Sequence, residues 1–145
     1  PHSLKVMSDL SGGRIDKGLK YFRSGYYDLA GQRLLVSRTG WTGELGYEIY
    51  TVGTRTSIDG PTDHGALYEA VMEAGRPHGL VYGSMASMEP RRIEAGILDN
   101  LSDFDPTMTP FAAGLGAFVH VDKPGYVGRT ALRSADRRVR LLGLV

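Results

Sequence analysis

The sequence contains no cysteine, no long hydrophobic run and almost no net charge. Without cysteine, these residues cannot form disulfides, zinc–thiolate sites, iron–sulfur clusters or cysteine nucleophiles, which fits a reducing compartment such as the cytoplasm. No apolar stretch approaches the roughly 18 residues of a membrane-spanning helix, so no membrane partner is expected. Seventeen basic and sixteen acidic side chains leave a net charge of +1, which argues against electrostatic binding of nucleic acid.

The two ends of the chain indicate a part of a longer protein. The 145 residues begin at Pro1 rather than at a methionine, and they end in the apolar run LLGLV. With 41% hydrophobic and 23% charged residues, the composition is that of a globular domain. We therefore expect a fragment whose last segment, 139–145, begins a strand.

Strand and helix patterns alternate along the chain without a regular βαβ period, which favours an α+β fold with an antiparallel sheet and packed helices. Helical spacing of apolar residues predicts helices over 2–10, 66–74, 84–95 and 128–134. Aromatic and branched residues predict strands over 21–27, 33–37, 47–52, 80–82 and 115–121. The polar segment 53–64 is predicted to be an exposed loop.

A dense glycine turn precedes the third predicted strand. Gly40, Gly43 and Gly46 surround Trp41 and Glu44 within seven residues. Glycines allow positive φ angles and close approach of the backbone to a partner, so this turn is a candidate for a ligand-binding loop.

The strand after this turn presents a carboxylate among aromatic side chains. Period-2 alternation places Tyr47 and Ile49 on one face and Glu48 and Tyr50 on the other. If the second face covers a cleft, the carboxylate of Glu48 can accept two hydrogen bonds from a flat heteroaromatic ligand with paired N–H donors. The same pattern also fits a solvated strand and turn whose glutamates contact only water.

Four blocks in a fixed order resemble the glycine-cleavage T-protein family of aminomethyltransferases. Residues 37–49 read SRTGWTGELGYEI, which closely resembles the family's SRTGYTGE-x-GFEI. RIEAGI at 92–97, TPFAAGLG at 109–116 and YVGRTAL at 126–132 are similar to its LRLEAG, TP-x-EAGLG and FIGREAL. The resemblance covers about residues 21–145.

This resemblance implies a tetrahydrofolate-dependent one-carbon transferase, acting on an aminomethyl or methyl group, in the α+β folate-binding fold of the family. Residues 1–138 would be the second half of the folate-binding domain, and 139–145 would begin a truncated C-terminal β-barrel domain. The family's pterin-binding glutamate corresponds to Glu48. Its catalytic aspartate belongs to a part of the family sequence before Pro1, so no catalytic residue is carried over. The implied folate-binding residues are Glu48, Trp41, Tyr50, Glu44 and Arg92.

One departure from the family's pattern bears on the one-carbon donor. T-proteins carry an arginine that contacts the pterin where this chain has Met88, and a thioether cannot replace a guanidinium donor. The donor is therefore either an aminomethyl group on a lipoyl carrier protein or a small methylated substrate, as in related demethylases. Trp41, at a position where T-proteins usually have tyrosine, favours the second.

Several alternatives stay open at this point. Arg91 and Arg92 could bind the glutamate tail of folate or form ion pairs with Glu89 or Glu94 on one helix. The protein could also be a noncatalytic folate-binding relative of the same fold, although that branch carries a cysteine absent here. The fragment alone could bind nothing, because half of a cleft is poorly pre-organised.

No metal site is expected. The four histidines have no ligand spacing, and the aspartates at 99, 103 and 105 lack the glycine and terminal glutamate of a calcium loop. The oligomeric state is not indicated by the sequence.

Overall fold

The computed structural model of the chain describes residues 2–15, 18–51 and 61–141. It consists of two compact units, Pro1–Ile97 and Leu98–Val145. The described residues contain α-helices as well as an antiparallel sheet, as the α+β prediction requires.

The first unit begins with helix α1, Ser3–Leu10. Its inner face buries Val6 and Met7, and the chain leaves the helix through Gly12 and Gly13, both with positive φ. Glycine adopts these angles without the steric cost that a Cβ atom brings. The predicted helix and its stop signal are confirmed.

An antiparallel sheet follows α1. Strands β1, Ser24–Leu29, and β2, Gln32–Ser37, form a hairpin, and β3, Glu48–Tyr50, pairs with β2. The two hairpin-turn residues, Ala30 and Gly31, both have positive φ (51° and 72°), which is the geometry that matches the twist of paired strands. The predicted hairpin and third strand are confirmed, although β3 is shorter than expected and Val52 lies outside the described residues.

The core of the first unit lies on one face of this sheet. Its buried side chains come from α1, the segment before β1, the hairpin and α2, and they are Met7, Ile15, Leu19, Leu29, Leu34, Val36 and Leu67. Tyr47 and Ile49 pack against this cluster. Period-2 alternation therefore directs Glu48 and Tyr50 to the face that points away from the core.

Two further helices complete the first unit. Helix α2, His64–Gly75, is capped at its N-terminus by Asp63, whose side chain accepts a hydrogen bond from the backbone N–H of Ala66. A short 3₁₀ turn, Arg76–His78, follows α2. Helix α3, Met85–Glu94, contains Pro90 in its interior. Both helices were predicted. Of the predicted loop 53–64, residues 53–60 lie outside the described residues and His64 belongs to α2.

The strand predicted at 80–82 is absent. The backbone N–H of Leu80 donates to the carbonyl of Gly75 (3.0 Å), and Gly79 has positive φ. These features close the C-terminal end of a helix and use the donor that a strand would need. A short apolar run alone does not distinguish a strand from such a cap.

The second unit has little regular structure among its described residues. Helix α4, Arg129–Ser134, confirms the helix predicted there. The strand predicted at 115–121 is wrong, because Gly116–Phe118 forms a 3₁₀ turn in which Phe118 N–H donates to Leu115 O (3.0 Å). Of the predicted terminal strand 139–145, the described residues 139–141 are not in a strand, and the rest lies outside the described residues.

Candidate functional site

The glycine turn between β2 and β3 packs closely against the C-terminal end of α3. Gly43 has a φ of +72°, and a Cβ atom at this position would lie 2.5 Å from the Cβ of Ala95. Only glycine avoids both the steric clash and the backbone strain. Gly43 therefore allows the turn and the helix to touch, whereas a Cβ atom at Gly40 would meet open space.

Arg92 joins α3 to the same turn. It is 3% exposed, and its guanidinium lies over the Trp41 ring, 5.3 Å from the centroid. Its Nε and Nη2 contact Glu89 Oε2 at 2.9 and 2.8 Å, and Nη1 donates to the carbonyl of Ile97 at 3.3 Å. The ion pair with Glu89, one of the two roles left open for this arginine, is thus present, whereas contact with a folate tail stays a prediction.

Glu48 lies exposed on β3 with two hydroxyl donors on one carboxylate oxygen. Its Oε2 accepts a hydrogen bond from the Tyr50 hydroxyl at 3.1 Å and another from the Thr39 hydroxyl. The Thr39 hydroxyl also lies 2.9 Å from that of Ser37, which is buried. Glu48 and Tyr50 therefore share one exposed face of β3, as the alternation predicts, and the binding of a ligand there stays a prediction.

The five predicted site residues fall into two groups and one isolated residue. Glu48 contacts Tyr50, and Trp41 contacts Arg92. Glu44 is exposed, and its carboxylate has no hydrogen bond or ion pair with any described residue.

Sequence reasoning missed Thr39, the residue that holds Glu48. The available signal was the strand register, because Ser37 faces Glu48 across the β2–β3 pair. That pairing brings Thr39, two residues after Ser37, close to the carboxylate.

An apolar pocket of about 470 Å³ lies on the core side of β3. Its walls come from α1, β3, α2 and the segment after the 3₁₀ turn, and include Val6, Ile49 and Leu80. At its edge, the His2 and His78 rings stack with centroids 6.5 Å apart. His78 Nε2 also lies 2.7 Å from Asp9 Oδ2, so a polar pair connects the two helical segments beside the pocket.

Tyr47 lines the same pocket, and its hydroxyl is buried without a hydrogen-bond partner among the described residues. Burial raises the pKa of this phenol above its ordinary value of 10.0, with Arg38 opposing and Tyr27 adding to the shift. The folded chain therefore retains the phenol proton at a pH where the unfolded chain releases it.

This proton retention predicts a loss of stability at alkaline pH. A raised pKa contributes stability that is complete below about pH 10 and is lost as the pH rises through the folded-state value. We expect Tyr47→Phe to lose less stability than the wild type between pH 8 and 11, measured by urea unfolding followed by circular dichroism. Tyr68→Phe, an exposed substitution on α2, is the control, and equal losses in Tyr47→Phe and the wild type would contradict the assignment.

The aspartates of the second unit shape turns. Asp103 Oδ2 accepts the backbone N–H of Asp99 at 2.7 Å, and Asp105 Oδ1 accepts both the N–H and the hydroxyl of Thr107. The two bonds from Thr107 lower the pKa of Asp105 below its usual value.

Within residues 2–15, 18–51 and 61–141, no three histidine or acidic side chains are arranged to hold a metal ion. No helix in the same residues is long and apolar enough to cross a membrane.

Comparison with known proteins identifies relatives for most of the chain. Residues 1–123 match the family model described as the GCVT N-terminal domain. The chain is 35% identical over 132 residues to an aminomethyltransferase of Halothermothrix orenii, covering 91% of this chain and 34% of that protein. It is 38% identical over 136 residues to an aminomethyltransferase of Streptomyces avermitilis, covering 93% and 34%.

A relative with a different name is also similar. A trimethylamine-oxide aldolase of Ruegeria pomeroyi is 40% identical over 118 residues, which cover 79% of this chain and 14% of that protein. The chain thus spans about a third of the length of the curated aminomethyltransferases it matches.

Proposed function

Because the chain belongs to the glycine-cleavage T-protein family, we propose that it is the pterin-binding part of a tetrahydrofolate-dependent one-carbon transferase with that family's folate-binding fold. Glu48 carries the proposal. Among the described residues, no donor forms a hydrogen bond with Glu48 Oε1. The Tyr50 ring lies on the same exposed face of β3 as Glu48.

The residues at this face fit a pterin. The ring offers adjacent N–H groups along one edge, and a carboxylate is the side chain that accepts such a pair. Tyr50 is 49% exposed and supplies an aromatic surface beside the carboxylate. Folate, when bound, accepts the one-carbon unit, and this chain's part is to bind and orient the ring that receives it.

Trp41 contributes to the proposed cleft from the glycine turn. Its ring is half-buried, and the Arg92 guanidinium lies over it. Arg92 is thereby engaged by Glu89 and Trp41, so we assign it to support of the turn, and its contact with the folate tail stays a separate prediction. Glu44, exposed and unpartnered in the described residues, is the candidate for a second polar contact.

Calorimetric titration of the 145-residue chain with 5-formyltetrahydrofolate tests the proposal. Glu48→Gln keeps the side-chain size but removes the charge, so we expect affinity to fall about tenfold to a hundredfold, the range for a hydrogen bond to a charged group. Glu69→Gln, on the exposed surface of α2, is the matched control and should bind as the wild type does.

Glu44→Gln in the same titration identifies which glutamate of the motif holds the ring. Unchanged affinity in Glu48→Gln, or a larger loss in Glu44→Gln, would contradict the role of Glu48.

The one-carbon donor has two candidates. An aminomethyl group on a lipoyl carrier protein is supported by the aminomethyltransferases among the relatives. A small methylated amine or amine oxide is favoured by the trimethylamine-oxide aldolase relative and by Met88, which offers no guanidinium to the pterin. Product assays that offer tetrahydrofolate with each donor separately distinguish them.

A further inference from the structure

The hydroxyl groups around Glu48 form a directed chain of hydrogen bonds. Thr39 has one hydroxyl proton and two acceptors within reach, Ser37 Oγ and Glu48 Oε2. A carboxylate is the stronger acceptor, so Thr39 donates to Glu48 and Ser37 donates to Thr39. Tyr50, the other residue on this face of β3, donates its hydroxyl proton to the same carboxylate oxygen.

This arrangement uses the two carboxylate oxygens unequally. Each oxygen has about two lone-pair sites, and both sites of Oε2 are taken by hydroxyl protons. In the described residues, Oε1 accepts none. A ligand with two adjacent N–H donors needs one site on each oxygen, so one hydroxyl must leave Oε2 when such a ligand binds.

The surroundings of the two hydroxyls determine which one leaves. Thr39 is half-buried and backed by Ser37, which is only 8% exposed and lies opposite Glu48 in the strand register. Tyr50 is 49% exposed, so its hydroxyl can turn into water without losing hydrogen bonds.

We propose that Thr39 is a positioning residue that fixes Glu48, and that the Tyr50 hydroxyl occupies the place of the ligand's second N–H until the ligand displaces it. This inference rests on the proposed function and extends it to how the Glu48 carboxylate is positioned for the ligand and made available to it. A ligand with a paired N–H edge then replaces the bond lost from Tyr50, whereas a ligand with a single donor binds Oε1 and leaves the Tyr50 hydroxyl in place.

Three variants test this proposal by titration with 5-formyltetrahydrofolate. Thr39→Val removes the fixed donor and should weaken binding about tenfold. Thr39→Ser keeps the hydroxyl and should restore wild-type affinity. Tyr50→Phe keeps the aromatic surface but removes the competing hydroxyl, so binding should become about threefold tighter.

The outcomes separate this inference from the proposed function. Affinity of Tyr50→Phe equal to or below that of the wild type overturns the displacement of Tyr50, and failure of Thr39→Ser to restore binding overturns the positioning role. If Glu48→Gln loses affinity and one of these two contradicting results is also found, this inference is wrong but the proposed function stands. If Glu48→Gln binds as the wild type does, both fall. Far-UV circular dichroism verifies that each variant is folded. If Thr39→Val does not fold, Tyr50→Phe still tests the proposal, because Tyr50 is exposed and its substitution should not disturb folding.

Discussion

Replacing Arg92 with alanine is expected to lower the free energy of unfolding by about 2–4 kcal/mol. The substitution removes a buried side chain, its contact with the Trp41 ring and its hydrogen bonds to Glu89 and Ile97. Loss of one partner of a fully buried ion pair costs about 3–5 kcal/mol. Here Glu89 is 46% exposed and can be rehydrated, so the loss of unfolding free energy expected for Arg92→Ala is smaller than for a fully buried pair.

Urea unfolding followed by far-UV circular dichroism measures this effect without relying on Trp41 fluorescence. Arg91→Ala is the matched control, because Arg91 is the neighbouring arginine on α3 and is exposed. Its substitution should change stability by about 0.5 kcal/mol or less. Equal effects of the two substitutions would show that burial of Arg92 contributes nothing specific.

The second large effect is expected for Gly43→Ala. The new methyl group would lie 2.5 Å from the Cβ of Ala95, at a backbone φ of +72°. Strain in the left-handed region costs about 1–2 kcal/mol and overpacking about 1–3 kcal/mol. Because the turn can shift and relieve part of the contact, we expect a total loss of about 2–4 kcal/mol.

Gly40→Ala in the same turn controls for the general effect of adding a methyl group. Position 40 has open space and no positive φ, so the change should stay within about 0.5 kcal/mol. Folate titration of both variants adds a functional measure, because displacement of the turn from α3 should weaken binding in Gly43→Ala alone. Equal stability of the two variants would contradict the required close approach.

Local signals in the sequence were sufficient to predict most helices and the hairpin of the first unit. The glycines after α1 and the apolar spacing within α1 and α2 indicated where these helices lie. The hairpin followed from two β-rich runs around Gly31. Both wrong strands were short apolar runs next to glycines, at 80–82 and 115–121. Their backbone donors are used by turns, and periodicity does not report such hydrogen bonds.

The candidate site was only partly accessible from the sequence. Alternation along β3 was enough to place Glu48 and Tyr50 on one face, because that rule is local. Burial of Arg92 could not be derived in this way, since arginines are mostly exposed and its contact with Trp41 joins segments far apart in sequence. Thr39 escaped notice because it lies outside the strands, where no period fixes the direction of a side chain.

Pro90 gives α3 a particular dependence on its neighbours. A proline in a helix interior provides no N–H for the carbonyl four residues earlier, here that of Ala86. Helical propensity alone therefore does not maintain α3, and its order relies on Arg92, Trp41 and the contact at Gly43. We therefore expect the turn and the helix to gain or lose structure together. Any ligand that prefers the ordered turn must then, by thermodynamic linkage, also stabilise a helix it does not touch.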